Sequence, residues 1–225
     1  MVVVLASRLD DGARVLVSNL QATGAAALVV PRDLSVAGWC LRVPGGAATL
    51  SVNNALAAAS DLTGIVVRLS HVGEEELPHI VSEDRAYVAA ETTAFLHAWL
   101  NAVRVPMLNP PGANCLCGPG WVADQWRFAA AAAGIPLHRV SPAQTPFSND
   151  LSRPALETVL AVGNLTMGSD DPVYREWTRR LSRTAGAPML AAHFSGRSLV
   201  TADTFPDITR SDVATAIAAY FAEAA

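Results

Sequence analysis

The chain has 225 residues, 51% hydrophobic and 16% charged, which suits one large domain or two small ones with ample core and excludes a disordered chain. Its formal net charge of −4 argues against sequence-independent nucleic-acid binding, which needs clustered cations. No apolar run reaches the ~18 residues of a membrane span, and "MVVVLASRL" has no basic stretch before its apolar part, so it reads as a buried first strand rather than a signal peptide. A cytoplasmic protein with neither a nucleic-acid nor a membrane partner is expected. All 16 basic residues are arginine. Codon bias in a GC-rich genome accounts for that, yet it excludes lysine phosphate anchors, Schiff bases and lysine general bases. The three cysteines are Cys40, Cys115 and Cys117. An odd number without a secretory signal argues for reduced thiols. Cys115 and Cys117 stand too close for zinc spacing, so structural cysteines in a loop are expected, with no metal and no cofactor.

In chain order, "VVVLAS" reads as a strand, "DDGARVLVSNLQATG" as a helix ending at Gly24, and "AAALVV" as a second strand. "WCLRV" and "ATLSV" form a hairpin about Pro44, Gly45 and Gly46, and Asn53-Asn54 suggests a turn. "GIVVRL" is a short buried strand. A long helix follows over roughly 83–103, with Val88, Phe95, Leu96, Trp99 and Leu100 at helical spacing, and then the strand "VPMLN". After a Pro/Gly/Cys-rich loop comes a helix from about Val122 to Ala133, with Asp124 in its first turn and Gly134 and Pro136 at its end. "PLHRV" is read as a strand. The remainder is read as strand "ETVLAVGN", helix "DDPVYREWTRRLSRTAG", strands "MLAAHFSG" and "SLVTADTF", and helix "SDVATAIAAYFAEA". The pattern is α/β in two regions, residues 1–141 with a parallel sheet and 142–225 of α+β character, divided in the Pro/Ser-rich stretch from Ser141 to Pro154.

Several passages, in order, resemble ATP-grasp ligases of the RimK/microviridin-ligase kind. "YVAAETTAFLHAWLNAVRVPMLNPPGANC" is similar to that family's helix-strand-"NpP" passage, and "WVADQWRFAAAAAGIPLHRV" to its helix ending in Gly-Ile/Leu-Pro. "TVLAVGN" is similar to its "vvvVgd" strand, and "LSRTAGAPMLAAHFSGRSLVTADTFPDI" to its closing segment. The resemblance implies a pre-ATP-grasp-like N-terminal domain packed on a shortened remnant of the ATP-grasp core. The nucleotide-clamping small domain is expected to be missing, because only Ser141 to Glu157 is available where the family carries it.

Two further departures bear on function. No lysine is present to contact phosphates. The family's metal-binding Asp, Glu and Asn fall here on His193, Thr201 and Asp203, a degenerate set for magnesium, which wants hard oxygen donors. Losing clamp and metal removes the charge neutralisation that phosphoryl transfer depends on. The resemblance therefore implies a non-catalytic peptide-binding accessory protein in the biosynthesis of a ribosomally made, modified peptide, akin to truncated companions of crocagin type. The expected partners are a precursor peptide, a second copy of the chain and other biosynthetic enzymes. Two alternatives stand beside it: an enzyme of another class reusing the cleft through His193, Asp203 or a cysteine, and a nucleotide-binding regulatory partner of a complete ligase.

Candidate peptide-binding residues come in two groups. Trp121 and Trp126 flank a helix start beside a Gly/Pro loop, where aromatics anchor peptides, with simple packing of the helix on the sheet as the default reading. Arg175, Arg179 and Arg183 recur every fourth residue on one helix face, with Arg180 close by; they suit capture of an acidic peptide or a plain solvated face. "HVGEEELPH" reads as a solvated helix start. His193, inside an apolar strand, reads as a satisfied core residue or a catalytic base; Asp203 on the adjacent strand can pair with it, as an ion pair replacing the old metal site or as a new acid/base site.

Overall fold

The computed structural model describes residues 1–36, 39–41, 48–52, 55–138 and 156–224. In chain order its strands and helices are β1 (Val2–Ala6), α1 (Asp11–Gln21), β2 (Ala26–Val29), α2 (Pro31–Val36), β3 (Cys40–Leu41), β4 (Ala48–Val52), β5 (Ala55–Ala58), β6 (Gly64–Arg68), α3 (Ser82–Ala102), β7 (Met107–Leu108), α4 (Ala123–Ala132), β8 (Glu157–Val162), β9 (Leu165–Met167), α5 (Pro172–Ala185), β10 (Met189–Ser195), β11 (Ser198–Asp203) and α6 (Ser211–Ala224). By their contacts they form two units, one of residues 1–120 and 207–225, the other of 121–206. This differs from the division expected at 141/142: α4 belongs with the second unit, and α6 returns to the first.

In the first unit a parallel sheet runs in the order β2-β1-β6-β7. Val2 pairs with both Ala26 and Gly64, and Ile65 pairs with Met107. β1 and β6 read as continuous apolar runs because both their faces are covered: Val3, Val4, Leu5, Ile65, Val66 and Val67 are all buried. A second, antiparallel sheet, β3-β4-β5, is the expected hairpin plus a third strand over Ala55–Ala58 that the sequence reading left out. The turns at 42–47 and 53–54 lie outside the described residues. Trp99 of α3 is buried, and its indole N–H donates to the Thr49 carbonyl at 3.2 Å, which fastens α3 to β4. α6 packs Phe221 directly over Gly64 of β6, where a methyl group would overlap the ring. The neighbouring Tyr220 hydroxyl donates to the Met107 carbonyl at 3.4 Å, and burial pushes its pKa up.

The second unit is built on an antiparallel sheet ordered β11-β10-β8-β9. Val159, Ala161, Leu190, Ala192 and Phe194 share a buried cluster with Trp126 of α4 and Leu181 of α5, so one sheet face carries the core. α5 opens on an Asp171 side chain that accepts from the Val173 N–H at 2.8 Å, with Pro172 in its first turn, and closes on Gly186 at φ 61°. α4 closes on Gly134, where the Ile135 N–H reaches the Ala130 carbonyl at 2.9 Å. "PLHRV" is not a full strand: Leu137 makes a single parallel bridge to Leu199, and residues 139 and 140 lie outside the described residues.

Candidate functional site

Two β-hairpins of the second unit bring together His193, Thr201 and Asp203, the set expected at the metal position. His193 on β10 pairs with Thr158 of β8 on one side and Thr201 of β11 on the other. Directly paired residues share a sheet face, and Asp203, two positions beyond Thr201, joins them on the face opposite the core. The register shifts between His193 and Phe194, a local irregularity at this point. His193 Nε2 lies 2.9 Å from Asp203 Oδ2, and His193 Nδ1 lies 2.9 Å from the Thr158 hydroxyl. The other Asp203 oxygen accepts the Phe205 N–H at 2.8 Å. His193 therefore pairs with Asp203, and Thr158 is a third member outside the set named from the sequence. Its only signal in the sequence is its place at the start of the "TVLAVGN" strand, which the fold sets directly across from His193.

These residues do not fit a magnesium ion. The set offers one carboxylate, both of whose oxygens already accept hydrogen bonds, beside an imidazole and hydroxyls, whereas magnesium takes several hard oxygens in octahedral array. Thr201 directs its hydroxyl to the Ala202 carbonyl at 3.4 Å. Among the described residues no group of three or more His, Cys, Asp or Glu is placed to hold a metal.

The candidate peptide contacts are distributed differently. Trp126 is buried in the core of its unit, and Trp121 stacks edge-on against it with centroids 5.0 Å apart and planes at 71°, only partly covered. Packing, the alternative held open for both, accounts for Trp126. On α5 the arginines are mostly spoken for. The Arg175 Nε donates to the Ser169 carbonyl at 2.6 Å and its guanidinium pairs with Asp170 at 3.0 Å; Arg179 pairs with Glu176 at 2.6 Å. Arg183 is exposed. Arg180, on the flank of that row, donates to the Ala133 carbonyl at the C-terminal end of α4, where a cation meets the negative end of the helix.

In the first unit the loop after β7 is held by a chain of backbone bonds. Asn109 sits buried in the left-handed region at φ 59°, a conformation asparagine tolerates. The Gly118 N–H donates to Pro110 at 3.1 Å, Gly112 to Cys115 at 2.9 Å, and Leu116 to Ser70 at 2.8 Å. The Cys117 thiol donates to the Val67 carbonyl of β6 at 2.8 Å, and Cys115 is buried beside it, in keeping with a structural reading of both. Between this loop, α3 and residues 70–75 lies an open cavity of about 740 Å³. The expected solvated helix start at Glu74–Glu76 is a short 3₁₀ turn in which Glu76 is buried. The Ser7 hydroxyl donates to one of its oxygens and the Arg8 N–H to the other at 3.1 Å.

The fold is that of ATP-grasp ligases. The chain is similar to the macrocyclase MdnC of Microcystis aeruginosa MRC, solved with the precursor peptide MdnA, with a TM-score of 0.71 at 10% identity, covering 99% of this chain and 100% of that one. It is also similar to a RiPP-associated ATP-grasp ligase of Chryseobacterium gregarium in complex with ADP and a leader and core peptide, with a TM-score of 0.69 at 8% identity over 100% of this chain and 97% of that one. A RimK-domain ATP-grasp protein of Sphaerobacter thermophilus DSM 20745 gives 0.54 at 14% identity, covering 99% of this chain and 100% of that one. No protein-family model and no curated sequence matches the chain.

Proposed function

We propose that the chain is a peptide-binding accessory protein without ligase turnover, serving the biosynthesis of a ribosomally made, modified peptide. The observation that carries this reading is the His193–Asp203 pair: where the resemblance puts the ligase metal site, the carboxylate is already committed to an imidazole at 2.9 Å and to a backbone N–H. The absence of lysine from the sequence supports the same reading, as does the short stretch available for a nucleotide clamp between Ser141 and Glu157. Peptide recognition is the part of the ligases' work that survives such losses; solved relatives in fold hold a precursor peptide or a leader and core peptide. The protein is read as a cytoplasmic homodimer whose partners are a precursor peptide and other biosynthetic enzymes. Calorimetric titration with a precursor peptide encoded beside the gene tests it: micromolar binding that persists in His193→Ala and Asp203→Asn is expected. Absence of peptide binding by the wild type would sink the reading.

One observation favours a second reading, an enzyme of another class. With Asp203 accepting from Nε2–H, the Nδ1 lone pair faces the Thr158 hydroxyl, the order in which a hydroxyl, a base and an orienting carboxylate activate a nucleophile. Under that reading Thr158→Val and His193→Ala each abolish a turnover that the wild type shows on its peptide.

A further inference from the structure

We propose that the cavity beside α3 binds a lysine or arginine side chain of a partner peptide. This rests on the peptide-binding reading and assigns it a contact in the first unit, apart from the α5 arginines and the His193 cluster. The floor of the cavity is made of small residues. Ala86, Ala90 and Ala94 stand four apart on one face of α3 and carry nothing beyond Cβ, so a chain can lie close to the helix. Ala89, Val72 and Leu116 are buried behind them and supply an apolar base.

The rim is acidic. Glu74 and Glu75 are exposed, line the opening, and form no ion pair among the described residues; the nearby Arg8 guanidinium donates instead to the Glu75 backbone carbonyl at 2.9 Å. The Glu75 carboxylate folds over Gly73 in the cavity wall, a position it takes because glycine has no Cβ to meet it. The histidines do not offset this charge equally. Asn101 donates to His97 Nδ1 at 3.2 Å, so Nε2 carries the hydrogen and donates to the Gly112 carbonyl at 2.7 Å; both nitrogens are satisfied in the neutral ring. His71 lies at the rim with Nδ1 3.0 Å from the Ser70 hydroxyl. Two carboxylates facing one imidazole, above an alanine floor, complement a side chain with an aliphatic stem and a cationic head. The volume, about 740 Å³, falls within the range of about 300–1,000 Å³ usual for ligand sites. An acidic side chain would meet like charge at the same rim.

Amide NMR of the full chain tests this with two capped pentapeptides, Ala-Ala-Lys-Ala-Ala and Ala-Ala-Glu-Ala-Ala. The lysine peptide is expected to shift the resonances of Gly73, Glu74, Glu75, Ala90 and Ala94, and the glutamate peptide to leave them in place. Glu74→Gln combined with Glu75→Gln should weaken the lysine peptide about tenfold or more, the scale of a charge-assisted contact. Ala90→Leu, an exposed position that fills the floor, should abolish the response. Equal response to both peptides, no response at these residues, or a response that survives Ala90→Leu would overturn the proposal. The same glutamate pair variant is then titrated with the precursor peptide. Undiminished affinity there removes the cavity from the account while leaving peptide binding intact. A wild type that answers the lysine peptide but ignores the precursor keeps the cavity and loses the proposed function.

Discussion

Glu76 takes a carboxylate to 1% exposure and spends both oxygens on the segment that follows β1. Glu76→Ala leaves the Ser7 hydroxyl and Arg8 N–H without their acceptor, and a loss of about 1–3 kcal/mol is expected in urea unfolding. Nothing local in "EEE" marks which glutamate turns inward, so burial of the third was not legible. Gly64 is the opposite case. A glycine inside an apolar strand signals a close approach, but only the fold shows that Phe221 makes it. Gly64→Ala should cost about 1–3 kcal/mol by overpacking, and the Phe221→Ala background should remove most of that increment. Asp207 contributes a pH term. The Thr209 N–H at 3.0 Å, and then its hydroxyl at 2.7 Å, hold the Asp207 carboxyl below its usual value. The folded pKa is depressed, so this stabilisation is complete above the unfolded value of about 3.9 and is lost as pH falls through the folded value. Asp207→Asn should therefore show a smaller fall in Tm between about pH 5 and about pH 3 than the wild type.

At the scale of elements, α3 was readable to within a residue at each end, because its apolar spacing and the acidic Glu83 and Asp84 of its first turn agree. α5 was readable from its cap and its terminal glycine. β7 falls within "VPMLN" and was readable as a strand, whereas β9, with three residues, is shorter than any periodicity can mark. The helix face of Arg175, Arg179 and Arg183 was legible as geometry, but the acids that neutralise two of its members come from Asp170 and Glu176, whose pairing only the fold reveals. Exchange of Arg183 alone for glutamine should leave stability within about 0.5 kcal/mol, as exposed substitutions do. If the α5 face captures an acidic peptide, the same change weakens that peptide's binding. α4 presents Phe128 at 79% exposure, and Val122, just before the helix, is 67% exposed. Such side chains anchor interfaces. If the proposed homodimer uses α4, Phe128→Glu converts it to a monomer in sedimentation velocity without lowering Tm.

For the whole molecule, chain order misled where the chain returns. A reading that advances along the sequence places α6 with the strands just before it, whereas its packing against β6 places it in the first unit. The order of passages was nevertheless enough to point to the ATP-grasp fold, which the solved ligases share over nearly the whole chain. Thr158 was not legible, because cross-strand register is invisible in one strand's sequence. The central claim is that this scaffold has given up nucleotide chemistry and kept peptide recognition. Isothermal titration of the intact protein with magnesium–ATP tests that claim most directly. No binding heat at millimolar nucleotide is predicted. Saturable binding with a Kd in the micromolar range would contradict it and return the arginines to consideration as phosphate ligands in a working ligase.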